Sequence, residues 1–245
     1  MTNPVSEQAF LAQYNIHDFD VPLTTVDMAI FTLREKRLEV LLVKRAQHPA
    51  QGKWALPGGF IQLGQDHSLE DAAHRKLLEK TGVASPYLEQ VMTVGNAKRD
   101  PRGWSVTVVY FALIASDSLR IQPDESSEQV AWVPVKEALE NYGLAFDHQT
   151  LLATCHARLK SKVLYTALPV HLLPDAFTLT DLQQVFEILL DQPVEKKAFR
   201  RRILDAGILE ETGGMRTGQS RPAKLYRVSD KQQAHCFPRN IEGPR

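Results

Sequence analysis

The sequence predicts an α/β front half, residues 1–150, joined to a smaller, mainly helical back half, residues 151–245. Three observations carry that expectation. Apolar, β-branched runs dominate the chain up to about residue 133, interrupted by one helical pattern. After Asp147 the apolar spacing becomes helical, and it returns to strand-like runs only near the end. The charge is also uneven: the formal net charge is zero, yet the stretch from Lys196 onward holds 12 Lys/Arg against five Asp/Glu, which leaves 17 basic and 24 acidic residues before it. A chain of 245 residues suits two domains of roughly 100–150 residues each.

Thr24–Leu33 and Arg37–Arg45 flank the polar Arg34-Glu35-Lys36 as the two strands of a hairpin. Leu69, Ala72, Ala73 and Leu77 are spaced for a helix over 69–80, and Gly82 stands where its stop belongs. Tyr87–Val94, Trp104–Ala115 and Val130–Val133 read as further strands, and Pro134 opens a helix through Leu139. Asp147 is placed to cap a helix over His148–Lys160. Leu168–Phe177, with Pro169 and Pro174, reads as a linker. Thr180 then caps a helix carrying Leu182, Val185, Phe186, Leu189 and Leu190. A second helix, Glu195–Ala206, turns Phe199, Ile203 and Leu204 inward and ends at Gly207. Strands Ile208–Thr212 and Leu225–Val228 bracket a Gly-rich basic loop. Helix, turn, helix and hairpin in that order describe a winged helix.

With 43% hydrophobic and 24% charged residues the composition is that of a soluble globular protein. The N-terminus lacks the basic start and apolar run of a secretion signal. The longest uncharged stretch, Gly103–Ser116, is 14 residues, short of the ~18 a spanning helix needs, so a cytoplasmic location with no membrane partner is expected. Cys155 and Cys236 form neither a disulfide framework nor a metal-ligand spacing, and His74, His148, His156 and His171 are scattered.

The segment Gly52-Lys-Trp-Ala-Leu-Pro-Gly-Gly-Phe60, followed by Arg75-Lys-Leu-Leu-Glu-Lys-Thr-Gly-Val83, resembles the Nudix box, G-x5-E-x7-R-E-U-x-E-E-x-G-U with U aliphatic. That resemblance implies an α/β/α sandwich whose loop–helix–loop holds Mg²⁺ against a nucleotide pyrophosphate, because carboxylates three and four apart share one helix face and hard cations take oxygen ligands. The carboxylate positions depart from the pattern. Gln65 stands at the first, nine residues rather than seven separate it from Arg75, and the helix positions that should read Glu, Glu, Glu hold Lys76, Glu79 and Lys80. The face changes from −3 to +1, which repels a cation, so no catalytic residue, metal site or required cofactor is expected. Lys76 and Lys80 would instead give a pyrophosphate its counter-charge, the alternative being that both are solvated on an exposed helix. Arg75, without its glutamate partner, would pair with Asp71 or Glu79.

Arg99-Asp-Pro-Arg-Gly-Trp-Ser105 places two arginines and an indole on a tight turn, a combination suited to phosphates and a stacked ring; the alternative is a charged turn with Trp104 in the core. Taken together, Trp54–Phe60, Leu78–Val83, Tyr87-Leu-Glu-Gln90 and Arg99–Ser105 closely resemble the Nudix-related transcriptional regulators of NAD metabolism, over roughly Asp20 to Val228. The resemblance implies a Nudix-like domain before a winged helix-turn-helix domain with a linker helix. It further implies a homodimeric repressor of NAD biosynthesis or salvage genes, and ADP-ribose or a related NAD metabolite as a phosphorylated nucleotide effector. The effector would meet Lys76, Glu79, Arg99, Arg102 and Trp104.

The back half offers the surface for double-stranded operator DNA. Lys196, Lys197, Arg200, Arg201 and Arg202 lie on the second helix, which has the length of a major-groove reader. Arg216, Arg221 and Lys224 lie on the wing. Two rivals stand beside the repressor: a Mg²⁺-dependent pyrophosphohydrolase acting on ADP-ribose, and a bifunctional protein. The lysine replacements weigh against both.

Overall fold

The computed structural model describes residues 6–83, 87–118, 127–217, 222–230, 235–238 and 241. After helix α1 (Glu7–Gln13), strands β1 (Leu23–Arg34) and β2 (Arg37–Arg45) form the predicted hairpin, and Glu35 and Lys36 both take positive φ, the two-residue turn whose twist suits antiparallel strands. Strands β3 (Trp54–Ala55) and β4 (Gly58–Phe60) carry the Leu-Pro-Gly-Gly segment into α2 (Leu69–Thr81). Ser68 caps α2, and Gly82, at φ 70°, ends it. β5 (Tyr87–Asn96), β6 (Ser105–Leu113) and β7 (Ser127–Pro134) complete the sheet among the described residues. Its order is β3–β2–β1–β6–β5, with β4 on β1 and β7 on β2. β1 and β6 run parallel, and the remaining pairs are antiparallel.

Pleating sends alternate side chains to opposite faces. Val26, Met28 and Ile30 meet Ala72, Ala73 and Leu77 of α2 on one face. Ala29, Phe31, Val109 and Phe111 face α3 (Val135–Asn141) and α4 (His148–Val163) on the other. This is the expected α/β/α sandwich. Helix α4 runs unbroken across residue 150.

The second core is continuous with the first. α5 (Leu179–Leu190) and α6 (Lys196–Asp205) bring Leu182, Phe186, Phe199 and Ile203 into the cluster that holds Leu151, Cys155 and Leu159 of α4. β8 (Leu209–Arg216) and β9 (Ala223–Val228) form the wing.

Four local expectations are corrected. Leu168–Phe177 is no solvated linker: Leu168–Leu172 is a 3-10 turn, and Leu168, Val170, Leu172, Leu173 and Phe177 are buried, because their apolar side chains outweigh the tendency of Pro169 and Pro174 to mark a surface loop. The cap of α5 is Thr178, in a reciprocal box with Asp181, and not Thr180. Asp147 stands at the head of α4, but its side chain caps nothing and reaches Arg99 instead. Leu204 is exposed, since only Phe199 and Ile203, four apart, share the inward face of α6.

Candidate functional site

The Gly58-Gly59 pair builds the floor of a cleft. A Cβ on Gly58 would lie 2.5 Å from the Val26 carbonyl, so β4 can lie against β1 only without a side chain there. A Cβ on Gly59 would lie 2.7 Å from Cε of Lys76, so the second glycine makes room for that lysine. The cleft encloses about 360 Å³, and Arg45, Lys76, Lys80, Arg99 and Arg102 line it against two carboxylates, Asp27 and Asp100. It is thus cationic, and the cations crowd one another: burial, then repulsion from Arg102, lower the Arg45 pKa. An anion would offset that repulsion. Two flat shelves adjoin the cations, with Arg45 4.9 Å above the Phe146 ring and Arg102 5.0 Å above Phe60.

The two arginines of the Arg99–Ser105 turn are held differently. The Arg99 side chain is 5% exposed; its Nε and Nη2 donate to the two oxygens of Asp147 at 3.1 Å each, and Nη2 reaches Asp27 at 3.4 Å. Arg102 is 39% exposed and forks onto Asp100 at 2.7–3.2 Å. Buried His148 accepts a hydrogen bond from the Leu56 amide on Nδ1 at 2.9 Å, and burial pushes its pKa down, so the neutral ring carries its proton on Nε2, 3.8 Å from Asp27.

The face that should hold a metal is given over to ion pairs. Lys76 Nζ donates to Glu79 at 2.8 Å and Arg75 Nη1 donates to the same carboxylate at 3.1 Å. Burial would raise the Glu79 pKa, but hydrogen bonds and charge from Lys76 and Arg75 bring it below its ordinary value. Lys80 is not solvated: it is 2% exposed and donates to Ser127 Oγ at 2.9 Å. Among the described residues no three His, Cys, Asp or Glu side chains lie together as a metal site. This donor set does not fit Mg²⁺, because its one glutamate is shared by two cations.

Asp66 is the residue the sequence reading missed. Arg75 keeps a carboxylate partner after all: Nε and Nη2 donate to Asp66 at 2.8 and 2.6 Å. Those bonds hold the Asp66 pKa at about 2. Asp66 follows Gln65 directly, and the two extra residues before Arg75 were the available signal. Glu79 and Trp104, both expected at the effector site, are not among the lining residues of the cleft. Trp104 precedes β6 and is 52% exposed against Gly95, outside the core.

On the winged helix, Glu195 caps α6 through the Lys197 and Ala198 amides. Lys196, Lys197 and Arg201 are exposed, and Arg200, half-buried, reaches Thr180 Oγ1 at the start of α5 at 3.2 Å. Arg202 sits apart, 5.9 Å from the Phe237 ring centre. Arg216 of the wing pairs with Asp181 at 2.7 and 2.9 Å, and Lys224 with Glu211 at 2.8 and 2.9 Å. Exposed pairs of this kind are worth about 0–1 kcal/mol, so a phosphate can displace them. Arg221 lies outside the described residues.

Comparison with known proteins agrees with this division. Residues 23–155 match the NUDIX domain model and residues 169–228 the NrtR DNA-binding winged helix domain model. A relative from Acinetobacter baylyi, named an ADPR responsive transcriptional repressor, is 54% identical over 98% of this chain and 95% of its own length. A crystal structure of Shewanella oneidensis NrtR complexed with a 27mer DNA is 46% identical, with TM-score 0.83, covering 89% of this chain and 99% of that one. The NUDIX domain of the same protein, complexed with ADP ribose, is 47% identical, with TM-score 0.59, covering 63% of this chain and 99% of that one.

Proposed function

The chain belongs to the NrtR family of transcriptional repressors, a NUDIX domain followed by the NrtR winged helix, and from that premise we propose that it represses genes of NAD biosynthesis or salvage and is released by ADP-ribose or a related NAD metabolite. It acts in the cytoplasm as a homodimer, and each copy places α6 in the major groove of one half-site. Lys196, Lys197, Arg200 and Arg201 supply the reading surface, and Arg216, Arg221 and Lys224 supply the wing's backbone contacts. The effector's pyrophosphate lies in the cleft against Arg45, Lys76, Arg99 and Arg102, with Phe60 or Phe146 under a flat ring. The observation that carries this reading is one chain holding two cationic surfaces, an enclosed cleft and an exposed helix, joined by a continuous core.

Cleft and helix are separate, so the ligand changes operator affinity only by binding the DNA-competent and DNA-incompetent arrangements unequally. Fluorescence anisotropy on promoter DNA is expected to show weaker binding with ADP-ribose present. Linkage then requires operator DNA to weaken ADP-ribose binding by the same factor. Equal ADP-ribose affinities in calorimetry with and without operator would exclude this ligand as the switch.

Hydrolysis is expected to be absent or very slow, because Glu79 is the only carboxylate kept at the box's four glutamate positions and Lys76 and Arg75 already hold it. The assay is purified protein with ADP-ribose and Mg²⁺ or Mn²⁺, followed for AMP and ribose 5-phosphate. Turnover in the ordinary enzyme range, roughly 1–1000 per second, would favour the pyrophosphohydrolase reading instead.

A further inference from the structure

We propose that the Arg99–Asp147 ion pair is the joint through which an anion in the cleft reaches the winged helix, with Asp147 a positioning residue at the head of α4. The inference rests on the reading that the cleft binds an anionic effector of a DNA-binding chain.

Asp147 is in the position of a helix cap without acting as one. Ser68, Thr178 and Glu195 each cap their helices through side-chain oxygens, and all three have extended backbones. Asp147 instead has φ −95° and ψ 10°, and both carboxylate oxygens are turned onto Arg99. The residue before it, Phe146, is held at φ 55°, in the left-handed region that a bulky side chain rarely enters. The head of α4 is therefore drawn out of its ordinary conformation toward the cleft. Arg99 lines that cleft, whereas Asp147 is not among its lining residues.

The rest of α4 is built to carry a movement. Its 16 residues span about 24 Å. Its buried face, Leu151, Leu152, Cys155, Leu159 and Val163, shares one core with α5 and α6. Toward its far end Glu89 takes Arg158 at 2.9 Å and Lys162 at 2.6 Å, which gives the helix a fixed point.

A phosphate in the cleft competes with Asp147 for the Arg99 guanidinium. Once released, the carboxylate at a helix N-terminus is drawn to the amides of the first turn, which needs an extended backbone at residue 147. The head of α4 then swings about its Glu89 anchor and carries α5 and α6 with it. Two arrangements follow, carboxylate on Arg99 or carboxylate on the helix, and ligand and DNA each favour one.

Asp147→Asn tests this in the full chain. The amide pairs weakly with Arg99 but caps as well as aspartate does, and Asp27 still neutralises the buried arginine. The variant is therefore expected to resemble the ligand-bound state. By anisotropy its ligand-free operator affinity falls by about 5- to 150-fold, the usual span of such couplings, and by calorimetry it binds ADP-ribose more tightly than wild type. A lesion of the fold would weaken both ligands together. Any outcome other than weaker operator and tighter ADP-ribose binding overturns the proposal. If the variant does not fold, hydrogen exchange on the wild type decides: the Thr150 and Leu151 amides already donate to the Asp147 carbonyl, so ADP-ribose must slow the Gln149 amide, and unchanged exchange there rejects the joint. Wild-type protein that binds ADP-ribose without any effect on operator affinity defeats the functional reading itself. A wild-type response that persists in Asp147→Asn defeats the joint alone.

Discussion

Replacing Lys197, Arg200 and Arg201 together by alanine is expected to weaken operator binding by orders of magnitude while the fold survives. Lys197 and Arg201 are exposed and Arg200 is half-buried, whereas α6 is anchored by Phe199 and Ile203 on its other face. The core loses nothing with the cations. If each contacts a phosphate, the log–log dependence of affinity on salt should flatten by about 0.9 per contact, close to three units in all. Where one of them reads a guanine, its loss should cost about 1–3 kcal/mol and relax the preference at that base pair. Anisotropy over a salt series, with circular dichroism as the check on folding, separates the two. Arg202→Ala alone should have a smaller effect, because its guanidinium lies near the Phe237 ring. A folded triple variant with wild-type operator affinity would remove α6 as the reading helix.

The two arginines of the cleft should fail in opposite ways. Arg99→Ala leaves Asp27 and Asp147 facing each other without their cation, and stripping one partner from a buried pair costs about 3–5 kcal/mol. At about 2–4 °C per kcal/mol for a chain of this size, the melting temperature should fall by roughly 6–20 °C. Arg102→Ala removes a guanidinium that is 39% exposed and pairs within its own turn, so the melting temperature should fall less than in Arg99→Ala, by the cost of leaving Asp100 alone. Its larger loss is expected in the ligand. A charge-assisted hydrogen bond of about 1.5–3 kcal/mol corresponds to roughly 10- to 150-fold weaker ADP-ribose binding, and the repressor should no longer be induced. Calorimetric unfolding and ADP-ribose titration of both variants check the contrast. Equal destabilisation by the two substitutions would show that burial does not separate their roles.

Local chemistry made much of this molecule legible without coordinates. Apolar period located β1, β2, α2, α5 and α6, and Gly82 marked a helix end because few other residues accept a positive φ. The charge run Lys196–Arg202 pointed to a polyanion surface only together with the helix–turn–helix and wing patterns around it, since five cations alone would equally suit a solvated face. The altered charge of the box face was also visible, because side chains three and four apart on a helix must be neighbours.

What the sequence could not determine depends on partners brought together from far along the chain. Whether a lysine is solvated or buried is invisible at Lys80, whose neighbour Ser127 arrives 47 residues later. Arg75 found Asp66 because the loop, rather than the spacing of the box, sets their distance. Leu168–Phe177 is apolar enough to be core yet carries two prolines, and only the surface offered by α4 and β9 decided between the two. Asp147 has the composition of a cap, but an arginine 48 residues earlier in the chain holds its carboxylate. Capping amides and a buried guanidinium compete for the same two oxygens, and folding alone sets which is nearer.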